Sequence, residues 1–186
     1  MRSGRGFCLW FTGLSGAGKS TVSEAVHREL QGRGVTNVEI LDGDVVRTHL
    51  TKGLGFSRED RDTNVLRIGW VCQLLAKHGI PAMTAAISPY RETRAEVRQM
   101  VEGAAGSGSF IEIYVKASVE ACAERDVKGL YAKAKAGEIP QFTGVSDPYE
   151  PPEQAELVLE TEHEDVQESA GKVLAYLEQH GFIEPA

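Results

Sequence analysis

Short apolar runs alternate along the chain with longer segments in which apolar residues recur every three or four positions. The short runs are Phe7–Thr12, Val38–Leu41, Pro81–Ile87, Phe110–Val115 and Leu157–Glu160. Continuous apolar character over so few residues is typical of parallel strands that are covered on both faces. Because helical patterns separate the runs, we predict a three-layer α/β fold around a parallel five-stranded sheet.

Three of the helical patterns are clear from the spacing of their apolar residues. The apolar positions are Val22, Ala25, Val26 and Leu30 in the first pattern, Val65, Ile68, Cys72 and Leu75 in the second, and Val166, Ala170, Val173, Leu174 and Leu177 in the last. Ser57 and Asp60 have capping-box spacing before the second pattern, and Gly79 follows it. The second helix therefore has recognisable signals at both ends.

One stretch, from Arg125 to Pro152, breaks the alternation. It has no strand pattern, many charges and repeated glycine and proline, apart from a short helical piece at Leu130–Ala136. Irregular stretches of this length in a compact domain usually have a function. We therefore predict that residues 125–152 form a lid, within a single domain that spans residues 1–186.

Residues 13–20 read GLSGAGKS and lie between the first predicted strand and the first predicted helix. A glycine-rich turn in this position allows consecutive backbone N–H groups to surround a polyphosphate, and the positive end of the following helix faces the same anion. Lys19 can reach the β- and γ-phosphates, and the Ser20 hydroxyl can bind Mg²⁺. The pattern predicts a P-loop NTPase fold whose nucleotide contacts are Gly13, Leu14, Ser15, Gly16, Ala17, Gly18, Lys19, Ser20 and Thr21.

Two carboxylates follow the second predicted strand, in the segment Leu41–Asp44. A carboxylate at the carboxyl end of a parallel strand lies in the ligand crevice. Asp44 can accept the proton of an attacking hydroxyl or hold a Mg²⁺-bound water there. The alternative is that Asp44 only caps a short helix over Val45–Lys52.

A polar group follows in Arg47, Arg61, Asn64 and Arg67. The last three are three residues apart, which predicts that they share a helix face. Arginines directed at one crevice indicate an anionic acceptor. The alternative is a solvated face that is paired with neighbouring acids and contributes little to stability, and the spacing alone leaves both interpretations open. Those acids are Glu59, Asp60 and Asp62.

Composition narrows the function classes. A chain of 186 residues with 41% hydrophobic and 25% charged residues has the composition of one soluble globular domain. Its net charge of −7 argues against a nucleic-acid binder, and no apolar run approaches the roughly 20 residues that a membrane-spanning helix needs. Cys8, Cys72 and Cys122 lie far apart in apolar segments, so we expect buried reduced thiols and a cytoplasmic protein.

Six blocks of residues, in order along the chain, resemble the adenylylsulfate kinase (APS kinase) family. They are GLSGAGKST at 13–21, LDGDVVR at 41–47, LGFSREDRDTNVLRI at 54–68, ISPYR at 87–91, DVKGLY at 126–131 and FTGVSDPYEPP at 142–152. The resemblance implies transfer of the γ-phosphoryl group of ATP to the 3′-hydroxyl of adenosine 5′-phosphosulfate (APS), with Mg²⁺ as the cofactor. It also implies a homodimer, and it leaves open whether the chain is fused to or associated with ATP sulfurylase.

The resemblance also assigns roles to individual positions. Arg47, Arg61 and Asn64 match contacts to the acceptor, and Phe56 and Phe142 match two aromatic rings that enclose its adenine. The other matches are Asp42 and Asp44 beside the substrates, Ile87 and Ser88 near the acceptor, Arg125 near the adenine of ATP, and Lys128 in the lid near the phosphates. The predicted catalytic residues are Lys19, Asp44 and Ser88, and the predicted metal ligands are Ser20 and Asp44.

The role of Ser88 has two interpretations, because the resemblance includes a phosphoserine intermediate at this position. Phosphoryl transfer needs positioning and charge neutralisation but no covalent intermediate, so we expect direct in-line transfer with Ser88 as an acceptor contact. Two other functions stay open for the chain: a kinase for a different small molecule, and a catalytically impaired kinase-like domain of a sulfurylase fusion. The presence of Lys19, Ser20, Asp42 and Asp44 argues against the second.

Overall fold

The computed structural model describes residues 5–126 and 129–185, and its sheet contains the five predicted strands. These strands are β1 (Cys8–Thr12), β2 (Glu39–Asp42), β3 (Ala82–Ala85), β4 (Phe110–Lys116) and β5 (Leu157–Glu160). All neighbours pair in parallel, in the spatial order β2–β3–β1–β4–β5. The predicted parallel five-stranded sheet is therefore confirmed.

Helices cover both faces of this sheet, which confirms the predicted three layers. The described helices are α1 (Lys19–Gly32), α2 (Gly43–His49), α3 (Arg58–Lys77), α4 (Arg91–Ala105), α5 (Val119–Arg125), α6 (Leu130–Lys135) and α7 (Val166–Gln179). Helices α1 and α7 pack together in one core cluster, and α3 and α4 pack together in a second.

The central strand β1 shows how the sequence separates the two clusters. Leu9 and Phe11 belong to the cluster with α1 and α7, whereas Cys8 and Trp10 belong to the cluster with α3 and α4. Successive side chains of a strand point to opposite faces, and all four of these are fully buried. A strand that is apolar at every position is therefore stable only between two helical layers.

The predicted capping box at the start of α3 is only half formed. Ser57 is the N-cap and accepts a hydrogen bond from the Asp60 backbone N–H at 3.1 Å. The Asp60 carboxylate does not close the capping box, because it accepts instead from the Gly55 backbone N–H at 3.0 Å. It thereby fixes the turn that leads into α3, the helix that carries two of the predicted acceptor contacts.

The three cysteines are buried and form no disulfide, as predicted. Burial raises the pKa of the Cys8 thiol, with a further contribution from the neighbouring Cys72, and burial also raises the pKa of Cys122. Such thiols are poor nucleophiles at neutral pH. None of the helices in the described part of the chain combines the length and the apolar character needed to cross a membrane.

Candidate active site

A cleft with a volume of about 900 Å³ opens at the carboxyl ends of the strands, where ligands bind in open α/β sheets. The loop after β1 forms one wall, and α2, the start of α3 and the loop after β3 form another. The predicted residues that line this single cleft are Ser15, Gly16, Gly18, Lys19, Ser20, Thr21, Asp42, Asp44, Arg47, Phe56, Arg61, Asn64, Ile87, Ser88, Arg125 and Phe142.

The backbone of the loop after β1 has the form that a polyphosphate site requires. Gly13 has a φ of 151°, and a Cβ atom there would lie 2.3 Å from the Val115 carbonyl oxygen. Gly18, with a φ of 99°, is the N-cap of α1 and contributes no side-chain hydrogen bond to its N-terminus. The N-terminus of α1 thus has no side-chain cap from its own N-cap residue, as is common where a helix N-terminus binds an anion.

Side chains from four parts of the chain hold the carbonyl groups of this loop. Lys19 Nζ donates to the Leu14 carbonyl at 2.7 Å. The other three donors are Tyr131 Oη to Ser15 at 2.9 Å, Arg125 Nη1 to Gly16 at 3.4 Å and Thr161 Oγ1 to Ala17 at 2.7 Å. Four consecutive carbonyls thus have side-chain donors, which restrains the loop whose N–H groups would bind the nucleotide.

Tyr131 and Thr161 are site residues that the sequence reasoning missed. Both line the cleft, yet they lie 116 and 144 residues from the loop carbonyls that they bind. A tyrosine in a short helix and a threonine after a strand give no local signal of such a contact. The only indirect indication is that Thr161 comes directly after β5, at the edge of the sheet where ligands bind.

Asp42 connects the two walls of the cleft. Its Oδ2 atom accepts a hydrogen bond from Ser20 Oγ at 2.9 Å, and its Oδ1 atom accepts from the Asp44 backbone N–H at 2.9 Å. Asp42 is therefore the N-cap of α2, which begins at Gly43. The alternative in which Asp44 caps a helix over Val45–Lys52 is wrong, because the capping carboxylate is that of Asp42.

The oxygen atoms at this point of the cleft suit a hard cation. Within residues 5–126 and 129–185, no three His, Cys, Asp or Glu side chains form a cluster that could enclose a metal. Mg²⁺ does not need such a cluster, since it commonly uses one or two protein oxygens together with waters and substrate phosphates. The Ser20 hydroxyl with the carboxylates of Asp42 and Asp44 fits that pattern, and the predicted pair Ser20 and Asp44 stays a prediction.

Arg61 and Phe56 lie together on the wall opposite the P-loop. Arg61 is 6% exposed, and it donates to the Phe56 carbonyl at 2.9 Å and to the Gln141 carbonyl at 2.6 Å. The Arg47 guanidinium lies 4.8 Å from the centre of the Phe56 ring. Burial lowers the pKa of Arg61, against the opposing effect of Asp147, but an arginine remains protonated at neutral pH. Two cations therefore flank one exposed aromatic ring.

Asn64 carries an unsatisfied acceptor on the same wall. Its Oδ1 atom is buried and has no hydrogen-bond partner among the described residues. Buried polar atoms are nearly always bonded, so such an atom in a cleft indicates a donor on the ligand. Asn64 lines the cleft together with Arg61, as their spacing predicts.

The prediction that Arg67 shares this face is wrong. Arg67 lines a separate groove beside Trp70 and Met100, and its Nη1 atom lies 3.4 Å from the Leu50 carbonyl. Three-residue steps fall short of the 3.6-residue helical turn by about 60° each. Two such steps rotate Arg67 out of the cleft.

The two predicted aromatic contacts differ in their surroundings. Phe56 is 46% exposed, so it is not a core residue. Phe142 is only 6% exposed and packs edge-on against Tyr131, with 5.0 Å between the ring centres. Phe142 is thus both part of the core and part of the cleft wall.

Ser88 lies in a strained conformation on the wall formed by α2, the start of α3 and the loop after β3, the acceptor wall. It has a φ of 42° and is 3% exposed. Its hydroxyl accepts a hydrogen bond from Trp10 Nε1 at 3.0 Å and donates one to Thr12 Oγ1 at 2.9 Å. A hydroxyl that is bonded on both sides within the sheet is poorly placed to attack a phosphoryl group.

Replacement of Ser88 with alanine should therefore keep turnover within about ten-fold of wild type. The change should lower the free energy of unfolding by about 1–3 kcal/mol, because the buried Trp10 Nε1 atom loses its acceptor. Steady-state kinetics and thermal melting measure the two effects. A phosphoserine at Ser88 that forms and disappears at the turnover rate in rapid-quench experiments would contradict direct transfer.

The described residues include most of the predicted lid, namely residues 125–126 and 129–152. Arg125 is exposed and reaches the cleft, where its Nη2 atom donates to the Thr161 carbonyl at 2.7 Å. Lys128 lies outside the described residues. Past this point the chain forms α6, and the Gln141 carbonyl contacts Arg61 across the cleft wall.

Comparisons with known proteins identify the family of the chain. A family model for adenylylsulphate kinase matches residues 5–160. The adenylyl-sulfate kinase of Halothermothrix orenii is 53% identical over 183 residues, which cover 98% of this chain and 95% of that protein. Among solved structures, the Mycobacterium tuberculosis APS kinase in complex with AMPPNP and APS has 43% identity and a TM-score of 0.88, covering 94% of this chain and 99% of that one.

A second solved structure, the hexameric APS kinase from Thiobacillus denitrificans, is 38% identical with a TM-score of 0.74, and the match covers 98% of this chain and 31% of that chain. The matches to these three proteins each cover at least 94% of this chain. The chain belongs to the adenylylsulphate kinase family.

Proposed function

We infer that the chain is an ATP-dependent kinase that phosphorylates the 3′-hydroxyl of APS, giving 3′-phosphoadenosine 5′-phosphosulfate (PAPS) and ADP. One observation carries this conclusion. A single cleft has a P-loop on one wall and, on the other, two arginines around an exposed phenylalanine beside an unsatisfied amide oxygen. A triphosphate suits the first wall, and an anionic nucleotide with an adenine suits the second.

The reaction that this arrangement supports is an in-line displacement. The acceptor 3′-oxygen forms a bond to the γ-phosphorus of ATP as the bond between that phosphorus and the β,γ-bridging oxygen breaks, and ADP leaves. The proton of the hydroxyl passes to Asp44. Lys19 and the N–H groups at the start of α1 neutralise the charge on the transferring group. Mg²⁺, when bound near Ser20 and the carboxylates, supplies further charge neutralisation on the phosphates.

The acceptor wall suits an anionic acceptor such as APS better than an uncharged one. Arg47 is suited to sulfate and phosphate oxygens, because a guanidinium offers a planar fork of donors. Arg61 adds positive charge to the same wall, while its Nε and Nη2 atoms donate to the Phe56 and Gln141 carbonyls. Asn64 Oδ1 would accept a hydrogen bond from the acceptor, and Phe56 offers a face for the adenine.

A direct assay tests the activity. The purified chain is incubated with ATP, Mg²⁺ and APS, and PAPS and ADP are measured by anion-exchange chromatography. We expect equal amounts of PAPS and ADP, and no phosphorylated product with AMP or inorganic sulfate as the acceptor. Phosphorylation of another small molecule in preference to APS would favour a different kinase, and ATP binding without turnover would favour an impaired domain.

Phe56 and Phe142 provide a sharper test of the acceptor wall. Stacking of a base on an aromatic ring is worth about 1–3 kcal/mol, so Phe56→Ala should raise the acceptor KM by roughly 5- to 150-fold at about 1.4 kcal/mol per decade. The ATP KM is the internal control and should change little. The melting temperature of this variant should also change little, since Phe56 is half exposed.

Phe142→Ala should combine a similar rise in acceptor KM with a loss of stability, because a buried phenylalanine contributes about 3–5 kcal/mol. If both rings contact one adenine, the double variant should lose less than the sum of the two effects. A drop in melting temperature with an unchanged acceptor KM would assign Phe142 to the core alone.

We also propose that residues 1–186 act as one kinase domain in which residues 125–152 are the lid. The contacts of this segment with both walls support the proposal, since Tyr131 bonds the P-loop and the Gln141 carbonyl bonds Arg61. Closure over both substrates would exclude water as a competing acceptor. Limited proteolysis within the segment should slow when APS and an unreactive ATP analogue are both bound.

We propose further that the chain forms a homodimer. Exposed apolar side chains of α3 support association, with Trp70 at 55% and Leu74 at 38% exposure, because clustered exposed apolar groups commonly mark interfaces. Multi-angle light scattering of the purified chain measures the mass directly, and a monomeric mass at micromolar concentration would contradict the proposal.

A further inference from the structure

Arg94, in the first turn of α4, is a buried arginine that bonds two backbone segments of the cleft. It is 2% exposed. Its Nη1 atom donates to the Ser88 carbonyl at 2.7 Å, and its Nη2 atom donates to the Glu150 carbonyl at 2.8 Å. Its Nε atom donates to Glu112 Oε1 at 2.6 Å, so every nitrogen of the guanidinium has an acceptor.

The two bonded segments belong to different parts of the site. Ser88 lies in the loop after β3 that forms the floor of the acceptor wall, and its φ of 42° is one that serine rarely adopts. Glu150 lies at the end of the lid segment. The Glu150 backbone N–H also donates to the Pro89 carbonyl at 2.8 Å. The end of the lid and the acceptor loop are thus joined at adjacent residues, with Arg94 beneath them.

The ion pair with Glu112 does not explain the arginine by itself. A buried ion pair loses hydration on both sides, and a well-packed apolar pair is often as stable. Neither an apolar side chain nor a lysine can replace the arginine in its other contacts. Only a planar guanidinium can donate to two carbonyl groups while its third nitrogen binds a carboxylate. The geometry therefore indicates a role in holding the two segments at a fixed separation.

We propose that Arg94 is a positioning residue for phosphoryl transfer: it sets the acceptor loop at Ser88 against the end of the lid at Glu150, so that the acceptor hydroxyl is held in line with the γ-phosphate. This inference rests on the proposed function. Arg94 lies outside the set of residues that line the cleft, so it acts through the backbone of Ser88 and Glu150.

Arg98 provides a matched control one turn later on α4. Its Nη2 atom lies 3.6 Å from Glu112 Oε2, and it forms a two-bond pair with Glu156 at 2.7 and 2.8 Å. Its backbone acceptor is Phe110, which belongs to neither the acceptor loop nor the lid. Arg98→Lys therefore perturbs the same buried acidic group without touching the proposed connection.

The experiment compares Arg94→Lys with Arg98→Lys in the intact protein. A displacement of about 1 Å at reacting groups can lower the rate by about 10²-fold, so we expect Arg94→Lys to lower kcat/KM for APS by about 10- to 100-fold. The dissociation constant for ATP, measured by calorimetry without APS, should stay within about two-fold of wild type. Arg98→Lys should leave both quantities near wild type. Equal kcat/KM for the two variants would overturn the inference.

A second comparison separates positioning from stability. Arg94→Met leaves Glu112 without its nearest partner and should lower the melting temperature, whereas Arg94→Met combined with Glu112→Leu removes both charges and should recover most of it. We expect the double variant to keep the low kcat/KM for APS. Recovery of activity together with stability would show that Arg94 serves folding alone.

The two proposals can fail separately. A wild-type protein that is inactive on APS would overturn the proposed function and this inference with it, whereas an active wild type with unaffected variants would overturn the inference alone.

Discussion

Replacement of Lys19 with alanine should lower kcat by about 10²- to 10³-fold, since loss of one group that stabilises transition-state charge commonly costs about 2.7–4 kcal/mol. Lys19 is 9% exposed on the wall of the cleft, where low solvent access strengthens its interaction with the transferring phosphoryl group. Quenched-flow measurement of a single turnover at saturating ATP and APS reports this step directly.

The fold should survive this change. The Lys19 bond to the Leu14 carbonyl is one hydrogen bond, whose loss typically costs about 1 kcal/mol, and Tyr131, Arg125 and Thr161 still hold the loop carbonyls that follow. Lys77→Ala, in the exposed last turn of α3, is the matched lysine control and should leave kcat unchanged. Turnover near wild type for Lys19→Ala would remove the P-loop lysine from the mechanism.

The elements of this fold could be predicted from the sequence because their signals are local. The buried strands are continuous apolar runs, and the P-loop joins the first of them to a helix. The alternative that starts this helix at Val45 fails because Asp42 has two roles at once: it ends β2 and caps the helix that begins at the next residue. A prediction that assumes several linker residues between the strand and the helix therefore places the N-cap too far towards the C-terminus.

The contacts that complete the site could not be predicted in this way. Tyr131 and Thr161 bind P-loop carbonyls across more than a hundred residues, and Arg61 binds the Gln141 carbonyl 80 residues away. Each donor reaches a backbone carbonyl, so no particular partner side chain is required in the sequence. Such contacts follow from the packing of whole elements, which spacing rules do not describe.

Replacement of Asp44 with asparagine should lower kcat by about 10²- to 10⁴-fold, the range for loss of a general acid–base group. Asparagine keeps the size of the side chain, and the Asp44 backbone N–H that bonds Asp42 remains in place, so the start of α2 is preserved. Because the carboxylate acts on the hydroxyl only as the bond to phosphorus forms, both KM values should change by less than about three-fold.

Asp42→Asn is the informative comparison for this prediction, because Asp42 contacts Ser20 and caps α2. Its amide oxygen can still cap the helix, but the negative charge beside the Ser20 hydroxyl is lost. We therefore expect Asp42→Asn to raise the Mg²⁺ concentration needed for half-maximal activity, and Asp44→Asn to lower kcat at every Mg²⁺ concentration. The same Mg²⁺ dependence in both variants would assign the effect of Asp44 to its predicted role as a metal ligand and not to proton transfer. A rise in KM alone would remove it from the chemical step, since an interaction that is equally strong in the ground state and the transition state does not change kcat.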